Sequence, residues 1–228
     1  VYHLGGSFSE GDLTAFSPAA QRTSSRGFTF FAPTAFTTVT GSDINRTRAN
    51  AELALAYGPV KFQAEYANVN FDGRAASGTA FDKDIEAYYA SLLWLVTGEK
   101  YAAAYKDGVF GRIVPQSNFN PFQAGSWGAW ELGVRYEDFD ASDFTLFSSA
   151  VPAGLVGTGV ISNSATAATT NEADAWTLGL KWIPNPNVRF LLNYVKTNFE
   201  TPVRVNNNGK TEIFDDEDAV TFRAQIDF

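Results

Sequence analysis

The sequence predicts an all-β protein, a transmembrane antiparallel β-barrel, on three observations. Apolar and polar residues alternate in one segment after another, which is typical of strands with one apolar and one polar face. The connections between these segments are short at one end and long at the other. Aromatic residues lie near the segment ends, on the apolar faces. Together these features favour a wall between lipid and water.

The composition agrees with this fold class. Hydrophobic residues make up 45% of the 228 residues and charged residues only 18%, below the roughly 25% of ordinary soluble proteins. The net charge of −8 argues against a nucleic-acid partner, which would call for a basic surface. The longest nearly apolar run, YYASLLWLV at residues 88–96, is too short for a membrane helix but matches the ~9–11 residues of a tilted membrane strand.

Alternation is clearest in the last ten residues, AVTFRAQIDF. Val220, Phe222 and Ile226 share one face of an extended strand, while Thr221 and Arg223 lie on the other. The same pattern occurs in RANAELALAY, VKFQAEY, AWELGVRYE, DAWTLGLKW and NVRFLLNY. About nine strands are predicted, starting near Val1, Arg26, Arg46, Val60, Asp84, Gly128, Ala173, Asn187 and Ala219.

The connections indicate how the strands are oriented. Only Gly-Pro separates Tyr57 from Val60, and PNPN at residues 184–187 is equally tight. Long extracellular loops are predicted near residues 32–43, 72–84, 140–173 and 200–217. Short periplasmic turns opposite long extracellular loops are typical of outer-membrane barrels. Residues 98–126 are an exception, because they are long although they fall on the short-turn side.

Aromatic residues predict where the membrane interfaces lie. Amphipathic rings prefer the boundary between hydrocarbon and water, so they form girdles around membrane barrels. The predicted girdle consists of Tyr57, Tyr66, Trp94, Tyr136, Trp176, Trp182 and Tyr194. The terminal Phe228 is predicted to be a signal for the outer-membrane assembly machinery. A soluble sandwich, with its polar faces outside and its apolar faces packed together, remains the alternative fold.

Several strings resemble one family when taken in order. They are YGPVKFQAEY, LVTGE, GVFGRIVP, GAWELGVRY and NPNVRFLLNYV, and together they are similar to the C-terminal half of the phosphate-selective porin O and P family. The opening HLGGSFS also resembles a strand near the middle of that family. The resemblance implies a trimeric outer-membrane porin of about sixteen strands, with a basic lumen that passes anions such as phosphate or polyphosphate. Residues 1–228 would then be a single domain, the C-terminal portion of the barrel. An odd strand count implies that the first half, with its constriction loop, is absent or supplied by another chain.

Charged residues on the polar faces are the candidate pore lining. Basic rings in a water-filled channel favour anions, and acidic rings favour cations. The predicted lining consists of Arg48, Lys61, Arg135, Lys181, Arg189 and Arg223, interleaved with Glu52, Glu65 and Glu131. Alternatively, these charges pair across neighbouring strands and only stabilise the wall. Anion selectivity therefore follows from the family resemblance and not from the residues.

Other chemistries have little support in the sequence. The chain has no cysteine, and His3 is its only histidine, so neither a thiolate nor a histidine-based triad or metal site is expected. The acidic run at residues 215–218 could bind a divalent cation, but its spacing matches no calcium loop. No catalytic residue, metal site or cofactor is predicted.

Three functions are ordered accordingly. The first is a porin, with outer-membrane lipid, lipopolysaccharide, two further copies and the assembly machinery as its partners. The second is a structural or docking barrel that grips a surface partner through its long loops. The third is an enzyme that would use loop carboxylates such as Asp140, Asp143 and Glu172.

Overall fold

The computed structural model describes residues 1–39, 42–147, 151–162 and 168–227. Phe228, the predicted assembly signal, lies outside the described residues. No helix within these ranges is long and apolar enough to cross a membrane.

Eight long strands form one antiparallel sheet in which neighbours in sequence are neighbours in space. They are β1 (Tyr2–Leu13), β2 (Ile44–Tyr57), β3 (Val60–Arg74), β4 (Ala80–Leu95), β5 (Ala129–Asp140), β6 (Glu172–Asn185), β7 (Val188–Asn207) and β8 (Lys210–Ile226). The predicted all-β antiparallel fold is confirmed. β1 and β8 are the edge strands of this sheet.

The ladder register assigns every side chain to one of two faces. Trp130 pairs with Trp182, and the next residues, Glu131 and Lys181, pair with each other. Since successive side chains alternate, the two tryptophans share one face and the two charges share the other. The face with Glu131 is called the inner face here, and the face with Trp130 is called the outer face.

The strand predicted to start near Arg26 is not among the eight long strands of the sheet. From Arg26 to Val39 the described residues form the short strands Thr29–Phe31 and Phe36–Thr37, paired with Gln21–Arg22 and Ala15–Phe16. Phe30 and Phe31 are adjacent yet both buried. A wall strand would have pointed them to opposite faces, so this segment packs as a folded connection instead.

Two of the predicted loops are largely strand. β3 and β4 run to Arg74 and from Ala80, which leaves residues 75–79 as the turn. The predicted loop at 200–217 is the far end of the β7–β8 hairpin, closed at Asn208 and Gly209, both with positive φ (51° and 82°). The ladder continues here without apolar alternation, because backbone pairing does not require a lipid-facing side.

The remaining connections are long. Residues 14–43, 96–128 and 141–171 join β1 to β2, β4 to β5 and β5 to β6. The second contains a 3-10 helix (Tyr101–Ala104) and the pair Tyr105–Lys106 and Val109–Phe110; the third contains a 3-10 helix (Ala153–Leu155) and the pair Leu146–Phe147 and Ile161–Ser162. The end of the sheet with the turns at 58–59 and 186–187 is called the short-turn end, and the opposite end the long-loop end.

The main hydrophobic core lies on the inner face at the long-loop end. Beyond Tyr66 the alternation of β3 inverts, because Asn68 and Asn70 point outward while Val69 and Phe71 point inward. The connections pack onto this inner apolar surface. The buried cluster comprises Phe30, Phe31, Phe36, Ile44, Phe71, Ala75, Phe81, Ala141, Phe144, Ile161, Phe199 and Val203.

Candidate functional site: the inner face

Residues 14–39 cross the inner face near the long-loop end. The Ser24 hydroxyl donates to Oε2 of Glu137 on β5 at 2.7 Å, and the Ser25 hydroxyl donates to Oε1 of Glu217 on β8 at 2.9 Å. Both serines belong to the connection that follows β1, and Glu217 lies on β8, the opposite edge strand. The connection therefore extends across the width of the sheet. The constriction loop was expected to lie outside residues 1–228. Within them, however, the connection that follows β1 already covers part of the inner face.

A cavity of about 310 Å³ lies between this segment and the wall. Its lining includes Arg22, Asn50, Tyr89, Arg135 and Thr197. The Arg135 guanidinium lies 3.7 Å from the Tyr89 ring centroid, and its NH2 nitrogen is 2.8 Å from Oε1 of Glu137. Among the described residues, Nε of Arg135 and Oγ1 of Thr197 are buried without a hydrogen-bond partner. Buried polar atoms are normally satisfied, so these two are available to water or to a solute.

A second recess of about 290 Å³ lies on the inner face closer to the short-turn end. Gly133 and Gly179 are direct cross-strand partners, and their missing side chains form its floor. Arg135 and Lys181 stand on either side, and polar groups such as Asn193 complete the lining. The recess therefore combines two cations with the carboxylate of Glu131 and with neutral hydrogen-bonding groups.

Residues 96–113 cover the inner face at the short-turn end. Tyr101 donates its phenolic hydrogen bond to Oε2 of Glu131 at 2.8 Å, and Lys181 pairs with the same carboxylate. The Lys61 ammonium lies 4.5 Å from the Phe110 ring centroid and 5.3 Å from that of Tyr101. Burial, together with the negative charge of Glu131, raises the pKa of the Tyr101 phenol, so the phenol stays a donor at all ordinary pH values.

The same segment contacts both edge strands. His3 on β1 lies 2.8 Å from the Tyr105 hydroxyl through Nδ1 and 3.1 Å from Oε1 of Glu52 through Nε2. At the other edge, Arg112 approaches Oδ2 of Asp227 at 3.6 Å. Residues 96–113 therefore cover the inner face from one edge strand to the other.

All nine predicted lining residues lie on the inner face, but most of them are packed against, or bonded to, other residues of the chain. The group around Lys61, Lys181 and Glu131 is packed beneath residues 96–113. Arg189 lies 3.8 Å from Asp227, and Glu65 accepts hydrogen bonds from Tyr89 and Gln63. Arg48 and Arg223 remain exposed and form no ion pair in the part of the chain that the structure describes.

Sequence reasoning missed the residues contributed by the folded connections. Arg22, Ser24, Ser25, Tyr101 and Phe110 lie outside the alternating segments. One signal for them was available in the sequence. The aromatic hairpin around GVF lies within a connection that is long although it falls on the short-turn side. The acidic run at 215–218 lies on β8 and not in a loop, and Lys196 contacts Asp216 at 2.8 Å. Within the described ranges, no group of three or more acidic or histidine residues could hold a metal ion.

The predicted girdle residues occupy two rows on the outer face. Tyr66, Tyr136, Trp176 and Tyr194 form the row towards the long-loop end, where the Tyr136 and Trp176 ring centroids are 4.9 Å apart. Tyr57, Trp94 and Trp182 lie near the short-turn end, and Tyr57 is 93% exposed. Leu132, Leu178 and Leu192 lie between the rows and are exposed on the outer face. An apolar band between aromatic rows is the pattern that membrane barrels present to lipid.

An apolar outer face opposite a charged, loop-covered inner face is the pattern of strands in the wall of an outer-membrane barrel. The chain belongs to the phosphate-selective porin O and P family, whose model matches residues 11–228. Members of this family are outer-membrane proteins of Gram-negative bacteria.

Two relatives set the extent of the likeness. Porin O of Pseudomonas aeruginosa is 31% identical over 179 residues, which are 78% of this chain and 34% of the relative. An uncharacterized protein of Caulobacter vibrioides is 31% identical over 118 residues, which are 51% of this chain and 18% of the relative. The chain thus spans about a third or less of the length of these relatives.

Proposed function

We propose that the chain forms part of the wall of an outer-membrane porin and that its inner face guides small anions such as phosphate along a water-filled path. The observation that carries the proposal is the series of cations at different heights of one polar face. Lys181 and Arg135 lie four ladder positions apart on the inner face, judged by their partners Glu131 and Thr177. At ~3.4 Å per residue this separates them by roughly 13 Å along the wall.

The cations differ in how strongly they should attract an anion. Lys181 and Arg135 are each paired with a glutamate, which cancels most of their field at a distance. Arg22, Arg48 and Arg223 are exposed and have no ion pair within the described ranges. These three are expected to dominate the attraction, since unpaired basic groups along a pore favour anions.

The test is the reversal potential of the purified intact protein in a planar bilayer under a KCl gradient. Stepwise conductance with an anion-selective reversal potential is expected. Stepwise conductance with cation selectivity would keep the pore and overturn the anion path. Well-folded protein without conductance would overturn the pore and favour a structural or docking barrel that binds a surface partner through its long loops.

The assembly of the protein belongs to the same proposal. We expect a homotrimer embedded in lipid and lipopolysaccharide, inserted by the assembly machinery through the C-terminal strand and Phe228, without catalytic activity. Family membership supports the trimer, since oligomers are typical of porins. The native mass of the detergent-solubilised protein measures the copy number directly.

A further inference from the structure

One part of residues 96–128 leaves the inner face and lies against the outer face. The Phe119 amide donates to the Pro184 carbonyl at 2.7 Å, and the Phe119 ring packs edge-on against Trp182 with centroids 5.2 Å apart. The indole nitrogens of Trp130 and Trp182 both donate to the Trp127 carbonyl, at 3.3 and 2.8 Å. Residues 119–127 therefore form a loop fixed to the outer wall at the short-turn end, called the outer loop here.

Its own hydrogen bonds close the outer loop. The Asn120 amide donates to the Ser126 carbonyl at 2.9 Å, and the Phe122 amide donates to Oδ1 of Asn120 at 3.0 Å. These bonds hold Phe122 at the tip, where it is 97% exposed, and Trp127 is 64% exposed. Exposing two large aromatic rings to water is unfavourable, because apolar surface gains stability when it leaves water.

The chemistry of the outer loop indicates what covers these rings. Residues 113–130 contain no charged side chain, whereas Arg112 and Glu131 flank them directly. The rings continue the outer aromatic row, because Trp182 stacks with Trp130 at 5.6 Å and with Phe190 at 5.5 Å. Neutral aromatic surface that extends a lipid-facing band matches the membrane interface, where such rings are enriched.

A second copy of the protein is a poorer occupant. Two rings at the tip of one short loop cover far less than the ~800 Å² per partner of a stable protein interface. Lipid imposes no such minimum area, because each apolar group that leaves water contributes separately.

We propose that the outer loop is a membrane anchor that inserts Phe122 and Trp127 into the phospholipid of the periplasmic leaflet. The anchor would fix how deeply the wall lies in the bilayer at the short-turn end, where residues 96–113 cover the inner face. This proposal depends on the outer face meeting lipid, as a porin wall requires, but it does not depend on conductance or ion selectivity.

The test uses single cysteines, since the chain has none of its own. Phe122→Cys, Leu192→Cys and Ala76→Cys are made separately in the intact protein, any other cysteine being replaced, labelled with a nitroxide and reconstituted in phosphatidylethanolamine and phosphatidylglycerol vesicles. Collisions with oxygen, which concentrates in lipid, and with a water-soluble nickel complex are measured by spin resonance. Leu192 lies on the outer face between the aromatic rows, and Ala76 lies in the turn at the long-loop end.

We expect the label at position 122 to collide often with oxygen and rarely with the nickel complex, as the label at position 192 does. Nickel-rich collisions at 122, like those at 76, would overturn the anchor and leave the wall intact. Weak collisions with both reagents would also overturn it and place the loop against another protein. Nickel-rich collisions at 192 itself would overturn the lipid-facing wall along with the anchor.

Discussion

The phenol of Tyr101 donates a hydrogen bond to Glu131 at 2.8 Å, joining a connection of the chain to the inner face near the short-turn end. The carboxylate also pairs with Lys181, and Lys61 lies over the Tyr101 ring. Glu131 is only 4% exposed, so its charge is compensated by these neighbours and not by water. Two of the predicted pore cations therefore belong to a packed cluster that fixes the 96–113 segment.

Tyr101→Phe should destabilise the folded protein by about 1.5–3 kcal/mol, because a buried carboxylate loses a neutral donor. The free energy of unfolding in detergent and urea measures the change. Tyr57→Phe is the matched control, since Tyr57 is 93% exposed. Equal stability of the two variants would contradict the structural importance of the Tyr101–Glu131 bond.

Glu137→Gln should shift the reversal potential towards anions. Glu137 pairs with Arg135 beside the cavity, and the amide keeps the shape while it removes the negative charge that screens the guanidinium. The matched control is Glu86→Gln on the outer face of β4, which removes one charge away from the path. A shift of equal size in both variants would place the effect in the net charge of the protein and not in the inner face.

Ser24→Ala combined with Ser25→Ala should loosen residues 14–43 over the inner face. The two hydroxyls bond to Glu137 and Glu217, and each bond contributes about 0.5–1.5 kcal/mol, or more to a carboxylate. Single-channel recordings should show larger current noise and additional conductance levels. Ser42→Ala changes a hydroxyl of the same segment that has no partner among the described residues, and its recordings should match those of the unchanged protein.

Gly179→Leu should lower single-channel conductance by filling the recess on the inner face. A Cβ at this position would meet the flexible Asn193 side chain at 3.0 Å and the Gly133 carbonyl at an ordinary contact distance of 4.0 Å, so the wall can accept the substitution. Ala90→Leu adds comparable volume to the outer face and should leave the conductance unchanged. Unchanged conductance in Gly179→Leu would show that solutes pass away from this recess.

Asp227 should stabilise the protein only above acidic pH. Its hydrogen bond from Gln225 and the nearby charges of Arg112 and Arg189 lower its pKa below the ordinary 3.8. A lowered folded pKa gives stability that is present above the unfolded value and is lost as the pH falls through the folded value. Unfolding midpoints of the unchanged protein and of Asp227→Asn should differ at neutral pH and converge once the pH falls below the lowered pKa of the folded carboxyl. A difference that persists at lower pH would contradict the assignment.

Alternation predicted the wall strands because their two faces meet different solvents. Trp176, Leu178 and Leu180 on β6 face outward, as the sequence indicates. The same reasoning failed at residues 28–37, where the phenylalanines are buried by other protein segments. Apolar and polar residues alternate where the two faces of a segment meet different environments. A segment that is packed against protein on all sides has no such difference between its faces, so its sequence does not alternate.

The sequence by itself determined the strand order, the register of faces and the two aromatic rows, since each depends on spacing along one strand or on a short turn. Only the tertiary structure decided that residues 14–39 and 96–113 cover the inner face and that the outer loop lies against the outer face. It also decided which cations are paired. Tyr101 and Glu131 are 30 residues apart, and Ser25 and Glu217 are 192 apart. Contacts at such separations depend on how the folded connections pack, and no local pattern encodes that packing.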